Sequence, residues 1–339
     1  MTKPIYPRIK ERRRLLRTAS GLMLGGVLSS RWPSARSIES TPAECIVPAK
    51  SGGGFDLSCQ AAKRLLDQSG LLPVPVQVRY IPGGIGAIVY NQVVSKAPNR
   101  PEQLIAFSGG SLLNIAQGKF GPHTEANVRW VASIAMDYGV VAVRKHSHIR
   151  SLQDLISTMR AKPMDIVFGA GGTIGSQDWV KSAEIARAAQ SDFKLIRYVA
   201  FEGGGDAISA LEGGYVDVVP GDAAELTMHL NRGADVRVIA ALSEERLPGI
   251  LSSVPTAREQ GFDISWPIIR GFYVGPRVSN AHYDRWVSVF QRLVELPGYR
   301  DHIIENGMQP YFLAGGDLTR YVVRQVGAYR EVARRYKLL

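Results

Sequence analysis

From about residue 44 onward, short apolar runs alternate with longer stretches whose apolar residues recur every three or four positions. The first kind fits a buried strand and the second an amphipathic helix. "CIVPA" precedes "DLSCQAAKRLLDQS", "VPVQVRYI" precedes "AIVYNQVVSKA", and "QLIAFSG" precedes "LLNIAQ". A long extended stretch, "VRWVASIAMDYGVVAVRK" (Val128–Lys145), interrupts the alternation, which then resumes from "SLQDLISTMRA" to "VRVIAAL". A second extended stretch, "FDISWPIIRGFYVG" (Phe262–Gly275), leads into a helical C-terminal part. The pattern predicts an α/β fold whose sheets are mainly parallel and flanked by helices. Two extended stretches around a middle block predict two lobes joined by crossover strands that act as a hinge. Residues 44–140 with 271–339 would form one lobe and 141–270 the other.

Glycine clusters fall at the carboxyl ends of the predicted strands. They are "SGGGFD" (Ser51–Asp56), "IPGGIGA" (Ile81–Ala87), "FSGGS" (Phe107–Ser111), "GAGGTIGSQD" (Gly169–Asp178), "FEGGGDA" (Phe201–Ala207) and "PGDAA" (Pro220–Ala224). In open α/β sheets that edge is where ligands bind. Helix starts there expose backbone N–H groups that suit an anion. Any single turn reads equally well as a tight strand-to-helix connection without a ligand. Together they nominate Ser51, Gly52, Gly53, Gly54, Asp56, Gly83, Gly84, Ser108, Gly109, Gly171, Gly172, Thr173, Gly175, Ser176, Gln177, Glu202, Gly203, Gly204 and Asp222 as ligand-binding residues. Ser51, Ser108, Thr173, Ser176 and Gln177 would add side-chain hydrogen bonds. Asp56 has three roles open to it: capping the first helix, ordering the loop, or meeting a proton on the ligand.

Charge changes the picture only at the N-terminus. The chain of 339 residues carries a net charge of +11, but residues 1–37 hold nine of the lysines and arginines and one acid. The basic excess is therefore concentrated in a segment that reads as a leader, and a nucleic-acid partner is not expected. "ERRRLLR" followed by thirteen largely apolar and small residues, "TASGLMLGGVLSS", fits a signal peptide ending near Ser37 or as late as Ala43. Thirteen residues are short of the roughly 20 a membrane span needs. The arginines leave both the general secretory and the twin-arginine route open, and the expected location is the periplasm.

In such a compartment the two cysteines, Cys45 and Cys59, are either a disulfide or two buried thiols. The sequence offers no cofactor motif, no metal-ligand cluster and no catalytic constellation: GxxxxGK[ST] and GxSxG are absent, and "GAGGTIG" breaks dinucleotide spacing at Ile174. Arg79, Arg197 and Arg270 are candidate carboxylate forks. Tyr138, Trp179, Phe201, Trp266 and Tyr273 are candidate cleft walls.

"CIVPAKSGGGFDLSCQ", "YIPGGIGA", "RWVASIAMDYGVVAV", "GAGGTIGSQDWV" and "FEGGGDAISALEGGYVDVV" occur in the order found in one family. They resemble the extracytoplasmic solute receptors of tripartite tricarboxylate transporters, the Bug-type binding proteins, and most of all the citrate receptors among them. The resemblance implies a two-lobed receptor without catalysis. It implies main-chain capture of a carboxylate by Ser51–Gly54 with Asp56 and by Gly171–Gln177, with Glu202–Gly204 facing the cleft. Ser51 stands where the family commonly has proline. The expected ligand is a di- or tricarboxylate and the expected partner a membrane permease, with the chain acting as a monomer and using no cofactor. A periplasmic sensor module signalling to a membrane kinase, and an exported α/β enzyme, are the competing readings.

Overall fold

The structure is a computed structural model that describes residues 41–95 and 100–339. The expected signal peptide, residues 1–37, lies outside the described residues. The first block runs β1 (Glu44–Val47), α1 (Gly54–Ser69), β2 (Gln77–Tyr80), α2 (Ala87–Ser95), β3 (Gln103–Ser108), α3 (Gly109–Ala116) and β4 (Arg129–Arg144). The middle block runs α4 (Leu152–Ala161), β5 (Val167–Gly171), α5 (Gln177–Ala188), β6 (Arg197–Phe201), α6 (Gly204–Glu212), β7 (Val218–Val219), α7 (Ala223–Asn231) and β8 (Val236–Leu242). Then come β9 (Pro267–Val274), α8 (Asn280–Leu293), α9 (Tyr299–Glu305), β10 (Gln309–Pro310) and α10 (Gly315–Arg335).

The strands line up as β2-β1-β3-β9-β4-β7-β5-β6, with β8 and β10 pairing β4 off that path. Parallel pairing joins β2, β1 and β3 at one end and β7, β5 and β6 at the other. The two long extended stretches are β4 and β9, and both run antiparallel to the strands they touch. β4 divides its partners along its length: Arg129–Tyr138 pair with β9, while Gly139–Arg144 pair with β8. In that second half Ala142 and Val143 also reach β7. Gly271 permits the close approach of β9 to β4, because a Cβ there would stand 2.4 Å from the Ala132 carbonyl oxygen.

β2 is shorter than its apolar run suggested. Pro73 and Pro75 cannot donate to a ladder, and the strand pairs with β1 alone as an exposed edge. α10 buries Leu318, Val322, Val326, Tyr329 and Ala333, a single stripe at helical spacing, against the sheet.

Cys45 on β1 and Cys59 on α1 form a disulfide with Cα atoms 5.8 Å apart, both ends buried. It staples the strand to the helix on either side of the first glycine turn. Closing a loop of this size removes unfolded-state freedom worth about 3 kcal/mol. Reducing the bond, or replacing both cysteines by alanine, is expected to lower the unfolding free energy by about that amount in urea titration. An unchanged midpoint would show that packing alone holds the pair of elements together.

Candidate functional site

The turn after β1 is built around an acid. Asp56, in the first turn of α1, accepts from Ser51 Oγ and the Gly52 N–H, each at 2.8 Å, and from the Tyr80 hydroxyl at 2.9 Å. Of the three roles open to it, Asp56 thus performs the ordering of the loop. The Gly54 N–H, two residues on, also meets a carboxylate, but one from far along the chain. Gly54 N–H donates to Glu225 Oε1 on α7 at 2.7 Å. Gly171 N–H, at the end of β5, repeats the arrangement with Asp178 Oδ2 at 2.9 Å. Three of the nominated glycines therefore present their amides to carboxylates, Gly54 alone at a helix start, and the carboxylates belong to the protein itself.

Behind these corners lies a buried network that sequence reasoning did not anticipate. Arg270 on β9, only 2% exposed, bonds Asp137 Oδ2 at 2.5 Å and Asp222 Oδ2 at 2.8 Å. Lys181 on α5, fully buried, bonds Asp222 Oδ1 at 2.7 Å, Asp178 Oδ1 at 2.8 Å and the Gly221 carbonyl at 2.7 Å. Gln177 Nε2 donates to Asp222 Oδ2 at 2.8 Å. Arg270 is thus a structural ion partner rather than a free fork, and its guanidinium lies against Gly54, where a Cβ would come within 2.2 Å. Three aspartates share two cations with Glu225 close by, an excess of acid that works against ionisation of all four. Burial works against the charge of Asp222, but Lys181 and Arg270 outweigh it and hold its pKa low. Burial pushes Asp137 and Asp178 up despite their cations. Burial, then the neighbouring Asp222, push Glu225 up to about 8.

The remaining nominated residues fall around the same region. Glu225 Oε2 stands 1.8 Å from where a Cβ on Gly204 would sit, and Gly171 packs on the Gly203–Gly204 backbone. Gly172 meets Ile85, which follows Gly83 and Gly84, and Gly110 after Ser108 meets Gln177. Lys50 and Glu202 pair at the surface, linking the turns after β1 and β6. Gly52 and Gly203 face open space. Several nominees have other work: Ser108 and Ser176 cap α3 and α5, and Gly109 is pressed against Tyr329 and Ile268. Gly175 is held through its carbonyl by Gln117 Nε2 at 2.7 Å, while Thr173 is exposed. Trp179, Trp266 and Tyr273 pack against other aromatic rings in the core instead of walling an opening.

The sequence profile of the tripartite tricarboxylate transporter family receptor matches residues 64–338. The chain belongs to this receptor family. BugT of Bordetella pertussis is 26% identical over 232 residues, 68% of each chain. MatC from Rhodopseudomonas palustris, solved with bound malate, superposes with a TM-score of 0.73 at 20% identity, covering 86% of this chain and 98% of MatC. An R. palustris protein solved with adipate gives 0.75 at 20% identity, covering 87% and 97%. The family resemblance read from the glycine motifs is borne out, and so is the periplasmic-binding-protein type of α/β fold. The receptors of this family take up solutes; Glu225, Asp178, Lys181 and Asp137 were missed because each reads locally as an ordinary helix or strand position. The available signal was a lone acid in an apolar run, as in "IAMDYGVVAV".

Glu225 generates a pH prediction. Its folded pKa of about 8 lies above the unfolded value near 4.5, so the folded chain holds a proton that the unfolded chain releases. Stability on this account is full below about pH 4.5 and is lost as pH rises toward 8, by up to about 1.4 kcal/mol per pH unit. Glu225→Gln keeps an acceptor for Gly54 and removes the titration. Its stability relative to the parent is expected to climb from pH 5 to 8 in denaturant titrations; a constant difference would refute the raised pKa. Gly204→Ala is expected to cost about 1–2 kcal/mol by pushing Glu225 off the Gly54 N–H. In a Glu225→Ala background most of that cost should vanish, a coupling a double-mutant cycle reads directly.

Proposed function

We propose that this chain is a periplasmic receptor that captures a small di- or tricarboxylate between two lobes, residues 44–140 with 271–339 and residues 141–270, and hands it to a tripartite tricarboxylate transporter permease. The observation that carries the proposal is the pair of glycine turns after β1 and β5 whose main-chain N–H groups donate to carboxylates, with the turn after β6 packed against one of those carboxylates. A donor set that holds internal carboxylates has the geometry and polarity to hold a ligand's. Family membership supports the transport role, and the malate and adipate held by the two R. palustris proteins favour a dicarboxylate over citrate. The reading assigns no catalytic residue, cofactor or metal. Among the described residues no three His, Cys, Asp or Glu side chains group as a metal site.

The ligand would reach main chain at the open positions Gly52 and Gly203 and at Gly53, which lies beside Glu225. The mature chain is expected to gain roughly 2.7 kcal/mol of stability at a ligand concentration a hundredfold above Kd. A thermal-shift and calorimetric panel of malate, succinate, adipate, citrate, glutamate and phosphate tests this, and silence across all the carboxylates defeats the reading. Gly53→Val should abolish binding with unchanged circular dichroism, since its backbone is extended and a Cβ there has ordinary clearance, 3.4 Å from Glu225 Oε1.

A further inference from the structure

Glu225 occupies an unusual place for an acid in a receptor of acids. Its Oε1 takes the Gly54 N–H at 2.7 Å, at the first residue of α1. Its Oε2 lies against Gly204, the first residue of α6. Gly53 is adjacent as well, with Oε1 3.4 Å from the point a Cβ would take. One carboxyl group, 7% exposed, therefore stands beside Gly53 and against Gly204, the residue after Gly203, next to positions at which the proposed ligand would meet main chain. Both buried cations are engaged elsewhere, Arg270 by Asp137 and Asp222 and Lys181 by Asp178 and Asp222. Two carboxylates cannot share this low-dielectric position without a proton between them.

We propose that Glu225 sets the specificity of the receptor by presenting a carboxylic acid, not a carboxylate, to its ligand, so that each acid bound is accompanied by one proton. This rests on the carboxylate-receptor reading above and narrows it. Oε1 remains the acceptor for Gly54, so the proton sits on Oε2 and is donated to a ligand carboxylate oxygen. It comes from solvent, and no other bond forms or breaks. The charged groups that face Glu225 agree with this direction. Asp222 on its own helix, Asp178 on α5 and Arg270 on β9 act on it directly, Lys181 on α5 and Asp137 on β4 are bonded to those groups, and the partly buried His229 lies one turn along the same helix. The acids outnumber the cations around it. Burial and Asp222 raise the Glu225 pKa in the unliganded chain, and a ligand carboxylate beside it would raise it more.

The test is calorimetric titration of the mature chain with malate, adipate and citrate at pH 6 to 9, in pairs of buffers that differ in ionisation enthalpy. Uptake is expected to rise from about half a proton per acid bound at pH 8 toward one at pH 9, together with an affinity that falls toward tenfold per pH unit above the Glu225 transition. Glu225→Gln should bind with no proton uptake and a flat pH profile. Acids that bind the parent chain with no uptake and no pH dependence overturn this proposal while leaving the receptor reading intact. Failure of all three acids to bind at any pH removes the receptor reading and this one with it. Glutamate provides a separate arm: tighter binding as pH rises, reporting an ammonium group against ionised Glu225, would also overturn it. Should the glutamine variant fold poorly, the proton count of the parent chain decides the matter.

Discussion

The buried ion network around Asp222 is the constraint on which the rest of this structure depends. A carboxylate removed from water must be paired or protonated, and Asp222 meets that demand with Arg270 from β9 and Lys181 from α5 at once. Arg270 then carries the connection to Asp137 on β4, and Lys181 to Asp178 beside the Gly171 amide. The two long strands, the middle-block helices and the turn after β5 are thereby tied to one charge balance. Removing Arg270 or Lys181 would leave buried carboxylates uncompensated, which typically costs several kcal/mol.

The glycine corners follow from the same balance. Gly54 must lack a side chain because the Arg270 guanidinium lies where a Cβ would go, and Gly204 because the Glu225 carboxyl does. These glycines are needed for close approach by charged groups, more than for backbone freedom. The Gly54 amide then faces a carboxylate in a setting shielded from water, where such a hydrogen bond is stronger than at the surface.

The alternation of apolar runs was enough to place the strands and helices of the first and middle blocks, because burial on both faces writes apolar runs and burial on one face writes a helical stripe. The glycine motifs were enough for the family, and the cysteine pair could be suspected from its flanks. Less was legible in the site. Ser108, Ser176 and Gly109 look like ligand contacts from their turns, yet two cap helices and one packs against α10. Arg270 looks like a surface arginine in "PIIRGFYV" and is among the most buried side chains of the chain.

Local pattern by itself determined the order of elements, the crossover strands β4 and β9, the glycine-cornered strand ends and the receptor family. These depend on short-range periodicity and on turn chemistry, which are written in consecutive residues. Only the tertiary structure decided which charges meet: Glu225 reaches Gly54 across 171 positions and Arg270 reaches Asp137 across 133. No local rule encodes such distances, because the partners are set by how the strands cross and where the helices start. The acid–base character of the site is therefore a property of the folded chain, held in place by the packing of elements that are far apart in sequence.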